Sequence, residues 1–397
     1  MPHRPQTSLL RRVTPVVHKV DHAIGRRLSR NRHVLIEYRT PVAQAILGPV
    51  AEALADATTH VWFTSEYPDR IRPLVPPGSF LTHAQAEWRR FDAYLNCDPW
   101  AAARLRRCAC CVNFFHGVAG KYDLDRPDTL PMGFERYDRV AFINADRMQR
   151  YVEAGIVEAD RAALVGYPKI DRLATHGYDA AAVRSGLGLD PSLRTILYAP
   201  TYSTASSLHL AGEAIIGALA AAGFNVIVKL HDRSLDPDPR YNGGIDWRAR
   251  LQPLQAGHQV RLAETGDSSP LLAAADAVIT DHSSIGFEYL VLDRPLLVFD
   301  APDLPRVARI SEDKVTRLRY AATVVQNVGE LVPVLRRELD APARLSERRQ
   351  EVAREMFFEP GGATRRALQL IRPLLGSRTA AAVPAAERAS AFGGGVR

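Results

Sequence analysis

Residues 277–300 read AVITDHSSIGFEYLVLDRPLLVFD, and this stretch decides the fold. AVIT and PLLVFD are short runs of Val, Ile, Leu and Phe, too short and too apolar for surface helices, so both read as buried strands. Between them Ser283 and Ser284 open a helix expected to run to about Leu292, because a serine at that position satisfies the unpaired N–H groups of a first helical turn. Strand, helix and strand in immediate succession form a βαβ unit, and its crossover forces the two strands to lie parallel.

The same pattern extends outward in both directions. TILYAP (195–200), FNVIVKLH (224–231), HQVRLA (258–263), DAVITD (276–281), PLLVFD (295–300) and ATVVQ (322–326) read as strands, with HLAGEAIIGALAAAG (209–223) the clearest helix among them. Upstream, HVLIEY (33–38), THVWFT (59–64), AYLNC (93–97), CACCVNFF (108–115), RVAFIN (139–144) and AALVGY (162–167) form a second set, separated by helical segments such as PVAQAILGPVAEALAD. Around 175–193 the alternation lapses into a polar, glycine-containing stretch. Two similar-sized, doubly wound α/β halves joined by one linker are therefore expected. Their extents are 33–175 and 190–360, followed by a helix over 361–376 that crosses back onto the first half. The remainder reads as a basic extension over 1–32 and a small, polar, disordered tail over 377–397.

Bulk composition narrows the functional classes. At 397 residues with 46% hydrophobic and 24% charged side chains, the chain is globular and long enough for two cores. No apolar run reaches the roughly 20 residues of a membrane span, and the start lacks the pattern of a signal peptide. The four cysteines crowd into 97–111, which suits a reduced, cytoplasmic protein, and Cys108-x-x-Cys111 lies in an apolar run better read as strand than as metal site. Much of the net charge of +7 comes from the front, where eight Arg and Lys precede His33 against one acid, Asp21. Those residues suit an anionic membrane surface. Nothing later supplies a basic groove with stacking aromatics, so nucleic acid is not an expected partner. P-loop, HExxH and G-x-S-x-G signatures are absent, and Gly186-x-Gly188 neither follows a strand nor continues as a dinucleotide fingerprint.

Ligands of open α/β sheets bind beyond the carboxyl ends of the strands, and four polar clusters fall there. His116-Gly117 follows the cysteine-rich strand; an imidazole at that tip suits a general base on a hydroxyl. Lys229, His231, Asp232 and Arg233 end FNVIVKLH, where cations suit a diphosphate; Lys229 and His231 are expected on one side by the two-residue strand period. Asp281, Ser283 and Ser284 precede a helix whose free N–H groups favour an anion, and Glu288 lies farther along it, within reach of a ribose hydroxyl. Pro200-Thr201 ends TILYAP at the same edge.

Taken in order, these clusters resemble the CDP-glycerol glycerophosphotransferase family of teichoic-acid polymerases and primases. FFHG (114–117), GYPKID (166–171), LYAPTY (197–202), VKLHDR (228–233) and ITDHSSIGFEYLVLDRPLLVF (279–299) carry the likeness, and FFEPGGAT (357–364) adds a looser match. The resemblance implies a GT-B-like fold, two Rossmann-like domains facing a central cleft, with no metal or other cofactor. It also implies a transferase moving a polyol phosphate from a CDP-linked donor to a lipid-linked or polymer hydroxyl acceptor, in the cytoplasm or on the inner membrane face. By that analogy His116 is the base and His231 steadies the phosphoryl group. Thr201, Asp281, Ser283, Ser284, Glu288, Lys229 and Arg233 hold the donor, with Gly117 and Lys121 on the acceptor side. Val118-Ala119-Gly120-Lys121, Asp232, His282 and Pro360 depart from the family pattern. Two other readings stay open: a UDP-sugar glycosyltransferase or 2-epimerase of the same architecture, and a nucleotide-binding protein without activity.

Overall fold

The computed structural model describes residues 31–98, 108–118, 133–236 and 238–375. The extension before Asn31, the tail after Leu375 and Lys121 with its two predecessors lie outside the described residues. All twelve apolar runs are strands. The first six are β1 (Arg32–Glu37), β2 (Thr59–Thr64), β3 (Ala93–Asn96), β4 (Cys111–Phe114), β5 (Arg139–Phe142) and β6 (Ala162–Leu164). They form one parallel sheet in the order β2-β1-β3-β4-β5-β6. The second sheet contains β7 (Thr195–Tyr198), β8 (Asn225–Val228), β9 (Val260–Leu262), β10 (Ala277–Thr280), β11 (Leu296–Phe299) and β12 (Thr323–Val325). It is parallel too, in the order β12-β11-β10-β7-β8-β9. Every residue of β7, β8, β10 and β11 is buried, as expected of strands covered on both faces by crossover helices.

Strand order locates the binding crevices. The chain leaves β1 in one direction, to β2, and leaves the adjacent β3 in the other, to β4; the same reversal separates β7, which leads to β8, from the adjacent β10, which leads to β11. A crevice opens above the carboxyl ends at each switch point. Glu37 and Asn96 end the strands flanking the first; the segments after Tyr198 and Thr280 flank the second.

Local chemistry starts the helices. Thr40 is extended before Pro41, the first residue of helix Pro41–Leu54, where a proline loses no hydrogen bond. Asn144 caps Ala145–Glu153 by accepting from the Arg147 N–H. Two readings of the sequence need correction. The stretch 176–194 contains a helix, Ala180–Gly186, capped by Asp179 and held by Arg184, which donates to Ala274 O at 2.7 Å and pairs with Asp276 at 3.0 Å. Its glycines, at 177, 186 and 188, obscured a capped alanine run. Arg32, assigned to the extension, is the first residue of β1, and its Nε donates to Leu375 O at 2.7 Å.

GYPKID joins the two halves. Gly166 has φ of +89°, and a Cβ there would lie 2.6 Å from Phe358 O, so only glycine lets the returning chain approach. Asp171 accepts from the backbone N–H groups of Gly361, Ala363 and Thr364, at 3.0, 3.0 and 2.6 Å, capping the helix Ala363–Leu374 that packs on Pro41–Leu54. Between them Lys169 reaches into the second half, where its ammonium meets Glu288 Oε2 at 2.6 Å and Ser268 Oγ at 2.9 Å, all buried.

Candidate active site

β4 delivers His116 to the cleft. Phe115 is anchored among Phe134, Phe142 and Tyr151, with the buried Arg147 guanidinium 4.8 Å over its ring. Arg147 Nη1 also donates to Gly117 O at 2.5 Å, and Gly117 has φ of +83°, so the chain turns sharply after the histidine and is held there. The Nδ1 of His116 is hydrogen-bonded to Cys97 O. A carbonyl oxygen only accepts, so Nδ1 carries the proton in the neutral ring and Nε2 keeps its lone pair. That is the tautomer of a base.

β8 delivers His231 from the other half. Its Nδ1 accepts from the Arg233 N–H at 3.1 Å, which caps the short turn Asp232–Ser234. In this neutral ring the proton therefore lies on Nε2, the opposite tautomer, and the ring presents a donor. Tyr202 braces it with ring centroids 4.3 Å apart, and the Tyr202 hydroxyl accepts from Arg233 Nη1 at 3.0 Å.

His116 and His231 line one cleft of about 660 Å³ between the halves, within the usual range of small-molecule sites. Arg39 and Arg70 from the first half and Arg233 and Arg309 from the second add positive charge, opposed by Glu37, Asp98, Asp232 and Asp236. Arg309 has φ of +45°, an uncommon left-handed conformation for a side chain of its size. Asp98 is bound to Arg39 at 2.5 Å, with Glu66 on the same guanidinium at 3.3 Å.

The other expected site residues divide. Arg233 reaches the cleft with His231, whereas Ser283, Ser284, Thr201, Lys229, Glu288 and Gly117 do not line it. Asp281 was expected to touch the donor; instead it is wholly buried, with both oxygens occupied. Oδ1 accepts from the N–H groups of Thr201 and His282 at 2.8 and 2.7 Å, and Oδ2 accepts from the N–H and hydroxyl of Ser207 at 3.1 and 3.0 Å. It braces the two loops of the β7/β10 switch point and has no face left for a ligand. Thr201 is buried on that brace, and its hydroxyl has no partner among the described residues. Ser283 and Ser284 are half-exposed where helix Ser284–Tyr289 begins, and Ser283 makes no side-chain cap bond. Gly286 fits tightly behind them, since a Cβ would meet Leu318 and Thr280 at 3.1 Å.

Glu288 and Lys229 also differ from expectation. The buried Glu288 already engages Lys169 and Ser268 through Oε2. β8 ends at Val228, and Lys229 does not line the cleft with His231. Its ammonium turns back to Leu230 O at 2.6 Å, and burial pulls it below the usual lysine range.

Three residues of this region escaped sequence reading. Tyr202 lay inside the quoted LYAPTY but gave no signal of stacking on His231. Lys169 lay inside GYPKID, yet its partner is 119 residues away. Glu37, which closes the apolar run Val34–Ile36 of β1, was the one legible anomaly: a carboxylate at the carboxyl tip of that buried run.

The sequence pattern described as CDP-glycerol:poly(glycerophosphate) glycerophosphotransferase matches residues 125–372, more than half of the chain. The chain belongs to that family. It is thus a CDP-glycerol-dependent glycerophosphotransferase, which sets aside the reading without activity and the UDP-sugar reading. Among solved structures this glycerophosphotransferase is similar to the wall teichoic acid polymerase TagF, at 16% identity and a TM-score of 0.68, over 93% of this chain and 98% of that one. It is also similar to S. aureus MnaA, solved with UDP, at 14% and 0.56 over 87% and 97%. UDP-GlcNAc 2-epimerase from Neisseria meningitidis, bound to UDP-GlcNAc, matches at 13% and 0.55 over 86% and 100%. These likenesses establish the GT-B architecture expected from the sequence. Among curated protein sequences none matches the glycerophosphotransferase.

Proposed function

We propose that this enzyme extends a teichoic-acid-like cell-surface polymer by moving glycerol phosphate from CDP-glycerol to an acceptor hydroxyl, with His116 and His231 as the working pair. The acceptor proton passes to His116 Nε2 as its oxygen forms a bond to the phosphorus that carries glycerol. The bond from that phosphorus to the bridging oxygen breaks, and CMP leaves with the electron pair. His231 donates from Nε2 to a phosphoryl oxygen, where charge concentrates in the transition state. The observation that carries this reading is the opposite tautomers of two imidazoles lining one cleft, a lone pair from one half and an N–H from the other.

Thr201, Ser283 and Ser284 serve the nucleotide end at the β7/β10 crevice, and the buried Thr201 hydroxyl, without a partner among the described residues, supports a ligand there. Glu288 contributes only through the oxygen that Lys169 leaves. Gly117 shapes the acceptor side, and Lys121 is assigned there from its place in the motif alone. The two halves act as separate domains, near 33–175 and 190–360. The test is CMP release from CDP-glycerol in the presence of a hydroxyl acceptor, run beside UDP- and GDP-linked donors. Faster turnover of a UDP-linked donor would falsify the assignment.

The acceptor is lipid-linked or polymeric, and the extension 1–32 holds the enzyme to the cytoplasmic membrane face. No helix among the described residues is long and apolar enough to cross a membrane. Seven Arg and Lys lie within residues 1–30, and each contributes about 1 kcal/mol near an anionic surface. Deleting residues 1–30 is expected to abolish sedimentation with phosphatidylserine vesicles. Equal sedimentation of the truncated and full chains removes the idea.

A further inference from the structure

The first-half switch point, between β1 and β3, contains a carboxylate that the reaction above does not use. Glu37 ends β1, is 6% exposed, and lines the cleft with His116. Its environment is built. Oε1 is hydrogen-bonded to His83 Nε2 at 3.1 Å, and Oε2 accepts from the Tyr94 hydroxyl. The network continues along the carboxyl edge of the sheet. Asn96 Nδ2 donates to the Tyr94 and Tyr137 hydroxyls at 3.2 and 2.8 Å, and Asn113 Nδ2 donates to Asn96 Oδ1 at 2.9 Å. Asn96 and Asn113 are Cα partners across β3 and β4, so the network ends on the strand that carries His116. The carboxylate in turn holds the His83 imidazole above its ordinary range.

A carboxylate offers about four lone-pair positions. Among the described residues, His83 and Tyr94 use one on each oxygen, which leaves one on each for groups entering the cleft. Two acceptors on adjacent, fixed oxygens match two neighbouring hydroxyls. Phosphate would be repelled by the same charge, so this position suits the hydroxyl end of an acceptor and not its phosphodiester.

We infer that Glu37, oriented by His83 and Tyr94, forms an acceptor subsite that binds the vicinal hydroxyls of a polyol terminus beside His116. The inference rests on the glycerophosphotransferase reading and adds the class of acceptor end that it takes. A carboxylate at this place selects a terminal diol over a lone alcohol, because a buried acceptor left unpaired by the poorer ligand lowers its affinity.

The experiment compares a soluble glycerophosphate-terminated acceptor with its 2-deoxy counterpart, in full-length wild type and Glu37→Gln. Wild type is expected to prefer the diol. Glu37→Gln should raise the KM for the diol acceptor by about tenfold or more, the loss expected for a hydrogen bond to a charged group, and erase the preference. The KM for CDP-glycerol should stay close to that of wild type. A variant that keeps both the wild-type acceptor KM and the diol preference overturns the subsite. Wild type that releases no CMP from CDP-glycerol overturns the transferase reading itself, so the two failures are distinguishable. If Glu37→Gln does not fold, the half-exposed His83 carries the test. His83→Gln must raise the diol KM several-fold, and an unchanged value overturns the proposal.

Discussion

His116→Ala is expected to lower acceptor-dependent CMP release by about 10²–10⁴-fold, the usual contribution of a positioned general base. The ring is fixed by Cys97 O on one nitrogen, so alanine removes the basic lone pair without removing the cleft. Because the lost interaction acts on the proton in flight, kcat should fall far more than the donor KM changes. His231→Ala is expected to lose about 10²–10³-fold, the cost of one hydrogen-bond donor to developing charge. His231→Gln should recover part of the rate, since its amide still donates. Wild-type CMP release by His116→Ala would place the base elsewhere.

The second large effect concerns stability. Lys169 and Glu288 form a buried ion pair between the end of the first half and a helix of the second, with side chains 5% and 4% exposed. Removing one partner of such a pair strands the other charge at low dielectric and costs about 3–5 kcal/mol, whereas replacing both with apolar groups is often neutral. Lys169→Met is therefore expected to lower Tm by roughly 10 °C. Lys169→Met/Glu288→Leu should regain most of the loss, while Ser268 loses its contact with both. Scanning calorimetry decides the matter. A single variant as stable as wild type, or a double variant no better than the single, would show that the pair does not secure the two halves.

Much of this was legible in the residues. The strands could be read because each is a short apolar run closed by polar residues, and burial on both faces needs no distant partner to be recognised. The order of the motifs from FFHG to ITDHSSIG placed the chain in its family for a similar reason: the motifs are contiguous. His116 and His231 were singled out because each follows an apolar strand immediately. Asp281 shows the opposite case. In the sequence it stands beside Ser283 and Ser284 as a polar residue at a strand tip, indistinguishable from a ligand-binding group. Only the return of Thr201 and Ser207, 80 and 74 residues distant, turns its carboxylate into a brace. The helix at Ala180–Gly186 was missed for a smaller reason, since the glycines around it outweighed one aspartate cap.

By itself, then, the chain's order of residues determined two parallel α/β sheets and the family, because strand burial and contiguous motifs are local properties. Tertiary structure decided which nitrogen of each histidine is basic, which carboxylates face the cleft and which are occupied. Those outcomes depend on hydrogen-bond partners brought together by packing: Cys97 for His116, Lys169 for Glu288, His83 and Tyr94 for Glu37. A side chain's chemistry is set by what it touches, and spacing along the chain does not encode contacts between strands that meet only when the sheets have formed.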